Sequence, residues 1–312
     1  MVVPEGRRLA FGFPGVGVRL CGREVGFFES NASLMGPHLE AASDAAGEDL
    51  AAALSAGRIE DLSDEKQQYF TFGFGLGASL VFEEMGARPS CAAGYSFGIY
   101  AALCSAGALS AEDGIRAFAR AFELMAEASE GIGYSMGITV GLGDEEIHEL
   151  IEGAGPSVRR VNSNNETCHV FSGEATELDD FLAAASSHDA FAADRLPVRV
   201  PYHHPVVLAE ASRRFADFLE TLDWRTPRCP VISSIDQAMV SSARGLAKMA
   251  AANLSTPISW RLVIEALDDL GYSKLLECGP GISLTQNGRF SKVSLDFANI
   301  RNHARKGVAS NE

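Results

Sequence analysis

Short apolar runs alternate with longer stretches of mixed polarity along this chain, which is the pattern of an α/β protein. Arg8 to Phe13 (RLAFGF) reads as a buried strand, and Pro14-Gly15-Val16-Gly17 as a tight loop after it. Residues 37–56 are alanine-rich at helical spacing, and residues 66–85 read as a mostly apolar helix. Cys91 to Gly94 is a second apolar strand that runs directly into Gly94-Tyr95-Ser96-Phe97-Gly98, with helices expected over 97–107 and 111–128. The period changes after Gly131. Strands are expected at 134–140, 157–161, 168–171 and 191–196, with helices at 144–152 and 176–185. That β-α-β-β-α-β order is the ferredoxin-like arrangement, set as an insert in a larger α/β unit. A helix over 205–222, a strand at 231–234, helices at 245–254 and 259–270, and a strand at 274–277 complete the chain up to the turn Gly279-Pro280-Gly281.

Charge narrows the partners. Lys and Arg total 26 against 41 Asp and Glu, a net charge of −15, so a nucleic-acid partner is not expected. A basic cluster near the end, Arg289, Lys292, Arg301, Arg305 and Lys306 against Asp296 and Glu312, reads either as a solvated surface or as a surface for an acidic partner. The six cysteines contain no C-x-x-C pair, which predicts no metal site and free thiols in a reducing compartment. Pro89 to Ala111 carries no charge for 23 residues, but Gly94, Gly98 and Gly107 interrupt it. No membrane partner is expected, and the protein reads as cytoplasmic.

The candidate chemistry starts at Ser96. Gly94-Tyr95-Ser96-Phe97-Gly98 fits G-x-S-x-G, in which a serine sits on a sharp strand-to-helix turn that small neighbours allow to close. At the start of a helix, the backbone N–H of Phe97 can face a developing oxyanion. A nucleophilic serine needs a base. Of the seven histidines, His203 and His204 stand out, because they lie in the VPYHHP loop between the expected insert and the next helix. An ordinary α/β-hydrolase would instead call on a late histidine such as His303, but the chain has no HGGG-type oxyanion loop.

Six motifs in order, FPGVG, GYSFGIYAAL, VNSNN, VPYHHP, TPISW and ECGPG, make the chain resemble the malonyl-CoA:acyl carrier protein transacylase family, which includes the acyltransferase domains of polyketide synthases. The resemblance spans about Leu9 to Phe290. It implies an α/β-hydrolase-like core, residues 1–130 and 200–312, with a ferredoxin-like insert over 131–199. It implies that a serine takes an acyl group from a CoA thioester and passes it to the phosphopantetheine thiol of an acyl carrier protein, with no bound cofactor. Ser96 matches the nucleophile and His203 the general base; the backbone N–H groups of Val16 and Phe97 match the oxyanion hole. The Asn253 carbonyl matches the group that orients the histidine. Gln68, Asn162 and Asn164 match pocket residues.

The chain departs from that family pattern at the acyl pocket. Ala121 stands where members that carry malonyl or methylmalonyl have an arginine, whose planar fork pairs with the free carboxylate. Arg120 is adjacent, but neighbours on a helix point about 100° apart. Tyr95 replaces a histidine, Ile99 a glutamate, and Tyr202 occupies the position that sorts small from bulky acyl groups. Gly73 and Gly77 share a face of the expected pocket helix, which predicts either close helix packing or extra room for an acyl chain. The resulting expectation is an acyltransferase for an acyl group without a free carboxylate. A hydrolase that removes acyl groups from carrier proteins, and a non-catalytic scaffold subunit, are the alternatives.

Overall fold

A computed structural model describes residues 8–15, 17 and 19–302. Numbered along the chain, its strands are β1 (Arg8–Phe13), β2 (Cys91–Gly94), β3 (Tyr134–Val140), β4 (Arg159–Asn165), β5 (Cys168–Glu174), β6 (Ala192–Arg195), β7 (Val231–Ile232), β8 (Met239–Val240), β9 (Ile258–Ser259), β10 (Tyr272–Glu277) and β11 (Asp296–Ala298). They form two sheets, one in the order β11-β10-β1-β2-β7-β8 and the other in the order β6-β3-β5-β4-β9. The chain is an α/β protein with a ferredoxin-like subdomain.

In the first sheet every pairing is parallel except β7 with β8. A central parallel strand is covered on both faces, so its apolar residues run on without alternation. β1 shows this: Leu9 to Phe13 are all buried. The helices Asp64–Glu84, Gly98–Ser105, Ala111–Ser129 and Ala209–Leu219 contribute to one large apolar core that includes Leu9, Phe11 and Phe13. Ala10, Cys91, Ala93 and Ile232 alternate with those positions and pack with Trp260, Val263, Ile264 and Leu267 of the helix Trp260–Asp269.

The second sheet has the strand order that β-α-β-β-α-β predicts, with one addition. β9, from the TPISW motif, pairs in parallel with β4 through Asn162–Ile258 and Ser163–Ser259. A two-residue strand carries too little pattern to be read from sequence. It ties the second sheet to the chain segment that also supplies Trp260. The insert has its own core, in which Phe171, Leu178, Phe181 and Leu182 are buried together.

The three glycines of the helix Asp64–Glu84 serve close packing, not an enlarged pocket. A Cβ on Gly73 would stand 2.8 Å from Ala42 Cβ and from the His38 carbonyl oxygen, and one on Gly77 would stand 2.9 Å from Met35 Cα. The space is already filled by the helix Ala32–Ala46. A Cβ on Gly75 would meet the Cys278 carbonyl oxygen at 2.9 Å. Among the described residues, no helix is long and apolar enough to cross a membrane.

Candidate active site

β2 ends in the turn that carries Ser96, and the turn closes because its neighbours have no side chains. A Cβ on Gly94 would overlap the backbone of Ile99, and one on Gly98 would overlap the Phe13 carbonyl oxygen. Tyr95 N–H donates to that same Phe13 oxygen at 2.9 Å, which pins the turn to the end of β1. Ser96 is held at φ 52°, in the left-handed region, where a non-glycine residue is strained. That residue stands two positions before the helix that starts at Gly98.

His203 reaches Ser96 from the loop before the helix Ala209–Leu219. Its backbone is also in the left-handed region, at φ 61°. His203 Nε2 lies 2.8 Å from Ser96 Oγ, and Nδ1 lies 2.7 Å from the Asn253 carbonyl oxygen. A carbonyl only accepts, so Nδ1 carries the proton and Nε2 is left to accept from the serine hydroxyl. Burial pulls the imidazole down to about 4, against the opposing pull of the Asn253 and Thr256 carbonyls. The ring is therefore neutral at pH 7, with its free lone pair on the serine. Asn253 also donates from its amide to the Ser96 carbonyl oxygen at 3.3 Å.

Phe97 N–H has no protein acceptor among the described residues, and it lies directly before the helix Gly98–Ser105. Val16, the other expected oxyanion donor, lies outside the described residues, as does His303. Its neighbour Gly15 touches the turn: a Cβ there would stand 2.5 Å from the Tyr95 carbonyl oxygen and 3.2 Å from Ser96 Cβ.

The remaining expected residues fall into two groups. On one side, Asn162 donates to Tyr95 Oη at 2.8 Å and Tyr95 donates to Asn164 Oδ1 at 2.8 Å, so the insert is joined to the residue before the nucleophile. Trp260 packs edge-on against Tyr95 with ring centroids 5.7 Å apart, and its backbone N–H lies 3.4 Å from Asn162 Oδ1. On the other side, Tyr202 donates to Asp64 Oδ2 at 2.8 Å, and Gln68 Nε2 lies 3.2 Å from both Tyr202 Oη and Asp64 Oδ2. The Tyr202 ring packs edge-on against Phe97, centroids 5.6 Å apart.

Ala121 is fully buried in the core on the helix Ala111–Ser129, which also buries Phe118 and Met125. Arg120 does not take the arginine's place; it is bound to Glu123 of its own helix at 2.6 Å. Arg116 pairs with Asp113 in the same way, at 2.8 Å. Among the described residues, no Lys or Arg side chain is bonded to Ser96, His203, Tyr202 or Gln68. His204 fastens its loop to the insert. Its ring lies 3.1 Å from the Ser157 carbonyl oxygen and packs edge-on against Tyr134.

Asp64 was not legible as a site residue. It follows the N-cap Ser63 in the acidic first turn of its helix, where an aspartate needs no further reason. Burial raises its carboxyl above the usual range, and the bonds from Tyr202 and Gln68 only partly offset this.

Comparison with known proteins follows the same lines. Residues 66–294 match the acyl transferase domain family. The malonyl CoA-acyl carrier protein transacylase of Escherichia coli K12 is 30% identical over 283 residues, 89% of this chain and 91% of the relative. The solved malonyl-CoA:acyl carrier protein transacylase from Xanthomonas oryzae pv. oryzae superposes with a TM-score of 0.85 at 29% identity, covering 94% of each chain. A malonyl-transacylase solved in complex with a type II polyketide synthase acyl-carrier protein superposes with a TM-score of 0.82 at 28% identity, covering 94% of this chain and 95% of that one. With a serine at the turn after β2, a neutral histidine on its hydroxyl and this match over most of its length, the chain belongs to the acyl transferase domain family.

Proposed function

We propose that this acyl transferase carries an acyl group without a free carboxylate from a CoA thioester, through an ester on Ser96, to the phosphopantetheine thiol of an acyl carrier protein. The observation that carries the uncharged acyl group is Ala121, buried in the core with Arg120 turned to Glu123. A carboxylate taken out of water without a partner costs several kcal/mol. The relatives, malonyl-CoA:acyl carrier protein transacylases among them, support the donor and acceptor classes.

The chemistry uses few groups. His203 Nε2 takes the Ser96 proton as Oγ attacks the thioester carbonyl. Phe97 N–H meets the oxyanion, with Val16 N–H as the proposed second donor. Collapse breaks the C–S bond, and the imidazolium returns its proton to the leaving CoA sulfur. The carrier thiol then gives its proton to His203, attacks the ester, and Ser96 leaves with that proton.

The pH dependence follows from His203. Its neutral form is the base, so activity is lost only as pH falls through about 4. Acylation is expected to stay flat from pH 7.5 to 5.5, whereas a histidine near its ordinary value of about 6.5 would lose about tenfold over that range. A stopped-flow pH series distinguishes the two.

Intact-mass spectrometry tests the function. After loading from acetyl- or butyryl-CoA, the protein is chased with a phosphopantetheinylated carrier protein or with buffer alone. Movement of the adduct to the carrier is expected. Equally fast loss to buffer would mean hydrolysis and would contradict the transfer reading.

A further inference from the structure

Gln68 is 3% exposed, yet its Oε1 has no hydrogen-bond partner. A buried amide oxygen left unpaired is costly and rare in a folded protein. The orientation of the amide is not free. Asp64 Oδ2 is an acceptor and requires the Nε2 end, which it shares with Tyr202 Oη. Oε1 must occupy the opposite branch.

Gln68 is also part of the wall of a cavity beside the nucleophile turn, together with Thr71, Phe72, Phe97, Gly98 and Phe118. Neither Asp64 nor Tyr202 lines it. The other polar side chains in the wall are already engaged: Thr71 donates to the Gln67 carbonyl oxygen at 2.9 Å, and Cys278, also in the wall, donates to Leu276 at 3.5 Å. Among the side chains of the wall, Gln68 is therefore the one with a polar atom left unpaired. The cavity has room for about one water molecule, or a group of that size.

Resting on the uncharged-acyl reading, we infer that Gln68 selects a short acyl group bearing a hydroxyl, which donates to Gln68 Oε1. A plain acyl chain offers that acceptor no donor; a keto group brings a second acceptor against it; a carboxylate brings like charge density and no donor. Of these groups, only the hydroxyl donates to the oxygen that Gln68 leaves open. Discrimination of this kind is strong, because the wrong substrate leaves the protein's own polar group without a partner.

The test is single-turnover acylation of Ser96 by malonyl-, butyryl-, acetoacetyl- and 2-, 3- and 4-hydroxybutyryl-CoA, with wild type and Gln68→Leu. Wild type is expected to favour at least one hydroxybutyryl donor over butyryl-CoA by about tenfold or more, and Gln68→Leu to bring that ratio close to one. Equal rates for hydroxylated and plain chains in wild type, with malonyl-CoA slow, overturn this inference and leave the uncharged-acyl reading standing. A preference that survives in Gln68→Leu also overturns it. Malonyl-CoA outrunning every other donor overturns both readings. The wild-type rates decide the matter even if the leucine variant fails to fold.

Discussion

Replacing Ser96 with alanine lowers acyl transfer by on the order of 10⁴-fold or more, and the His203→Ala variant falls nearly as far. The double variant is expected to be little worse than either single one, because the two residues act as a unit. The 2.8 Å contact between Ser96 Oγ and His203 Nε2 is one proton path, and breaking it at either end stops the attack. The folded state changes little in comparison. Position 96 keeps its left-handed backbone, and alanine tolerates φ 52° no better and no worse than serine. Acylation rates beside urea midpoints make the separation visible. A His203→Ala variant that kept most of its activity would show that another base serves Ser96.

Glu277→Ala is expected to destabilise the protein by about 3 kcal/mol, a large share of the total stability of a domain. The carboxylate is fully buried at the end of β10 and accepts from Leu284 N–H at 2.9 Å, Thr285 N–H at 2.9 Å and Thr285 Oγ1 at 2.7 Å. Burial raises its carboxyl, and the Thr285, Leu284 and Ser283 donors only partly oppose that. Alanine would leave three buried donors without an acceptor and a cavity where the side chain was. The same bonds fix the turn after β10, where Gly279 lies against Pro14 and Gly281 N–H is held by Glu24 at 2.8 Å. Glu277→Gln keeps one acceptor oxygen and should lose about half as much. Urea unfolding of the three proteins checks the order; an unchanged midpoint in Glu277→Ala would contradict this account of the turn.

Ser96 could be found in the sequence because it is embedded in a local rule. A serine between glycines must sit on a turn after an apolar strand, whereas the VPYHHP loop offered His203 and His204 alike, and only the family resemblance, through the histidine that follows VPY, selected His203. The insert was legible for a related reason. Its helices and longer strands, such as Tyr134–Val140 and Asp144–Glu152, carry full periods of polar and apolar residues. The acyl pocket was legible only as a set of unusual residues. Ala121 and Tyr202 could be singled out, but not the partners that Tyr202 meets. Tyr202 bonds to Asp64 across 138 positions, and no local pattern announces such a pairing. β9, β11 and the helix Ser283–Gly288 are too short to show a period, so the end of the chain was read mainly from its motifs. The glycines of the helix Asp64–Glu84 allowed two readings, and only the neighbouring backbones of His38, Met35 and Cys278 decide for close packing.

The central claim is that the acyl group has no free carboxylate, and a competition measures it most directly. Purified protein is mixed with equal concentrations of malonyl-CoA and butyryl-CoA, quenched in acid within one turnover, and the two Ser96 esters are counted by intact-mass spectrometry, with Ser96→Ala as the blank. The buried Ala121 and the paired Arg120 predict a butyryl-enzyme in at least tenfold excess over malonyl-enzyme, about 1.4 kcal/mol or more of discrimination. A malonyl-enzyme in excess would show that the pocket neutralises a carboxylate without the arginine, and would contradict the account.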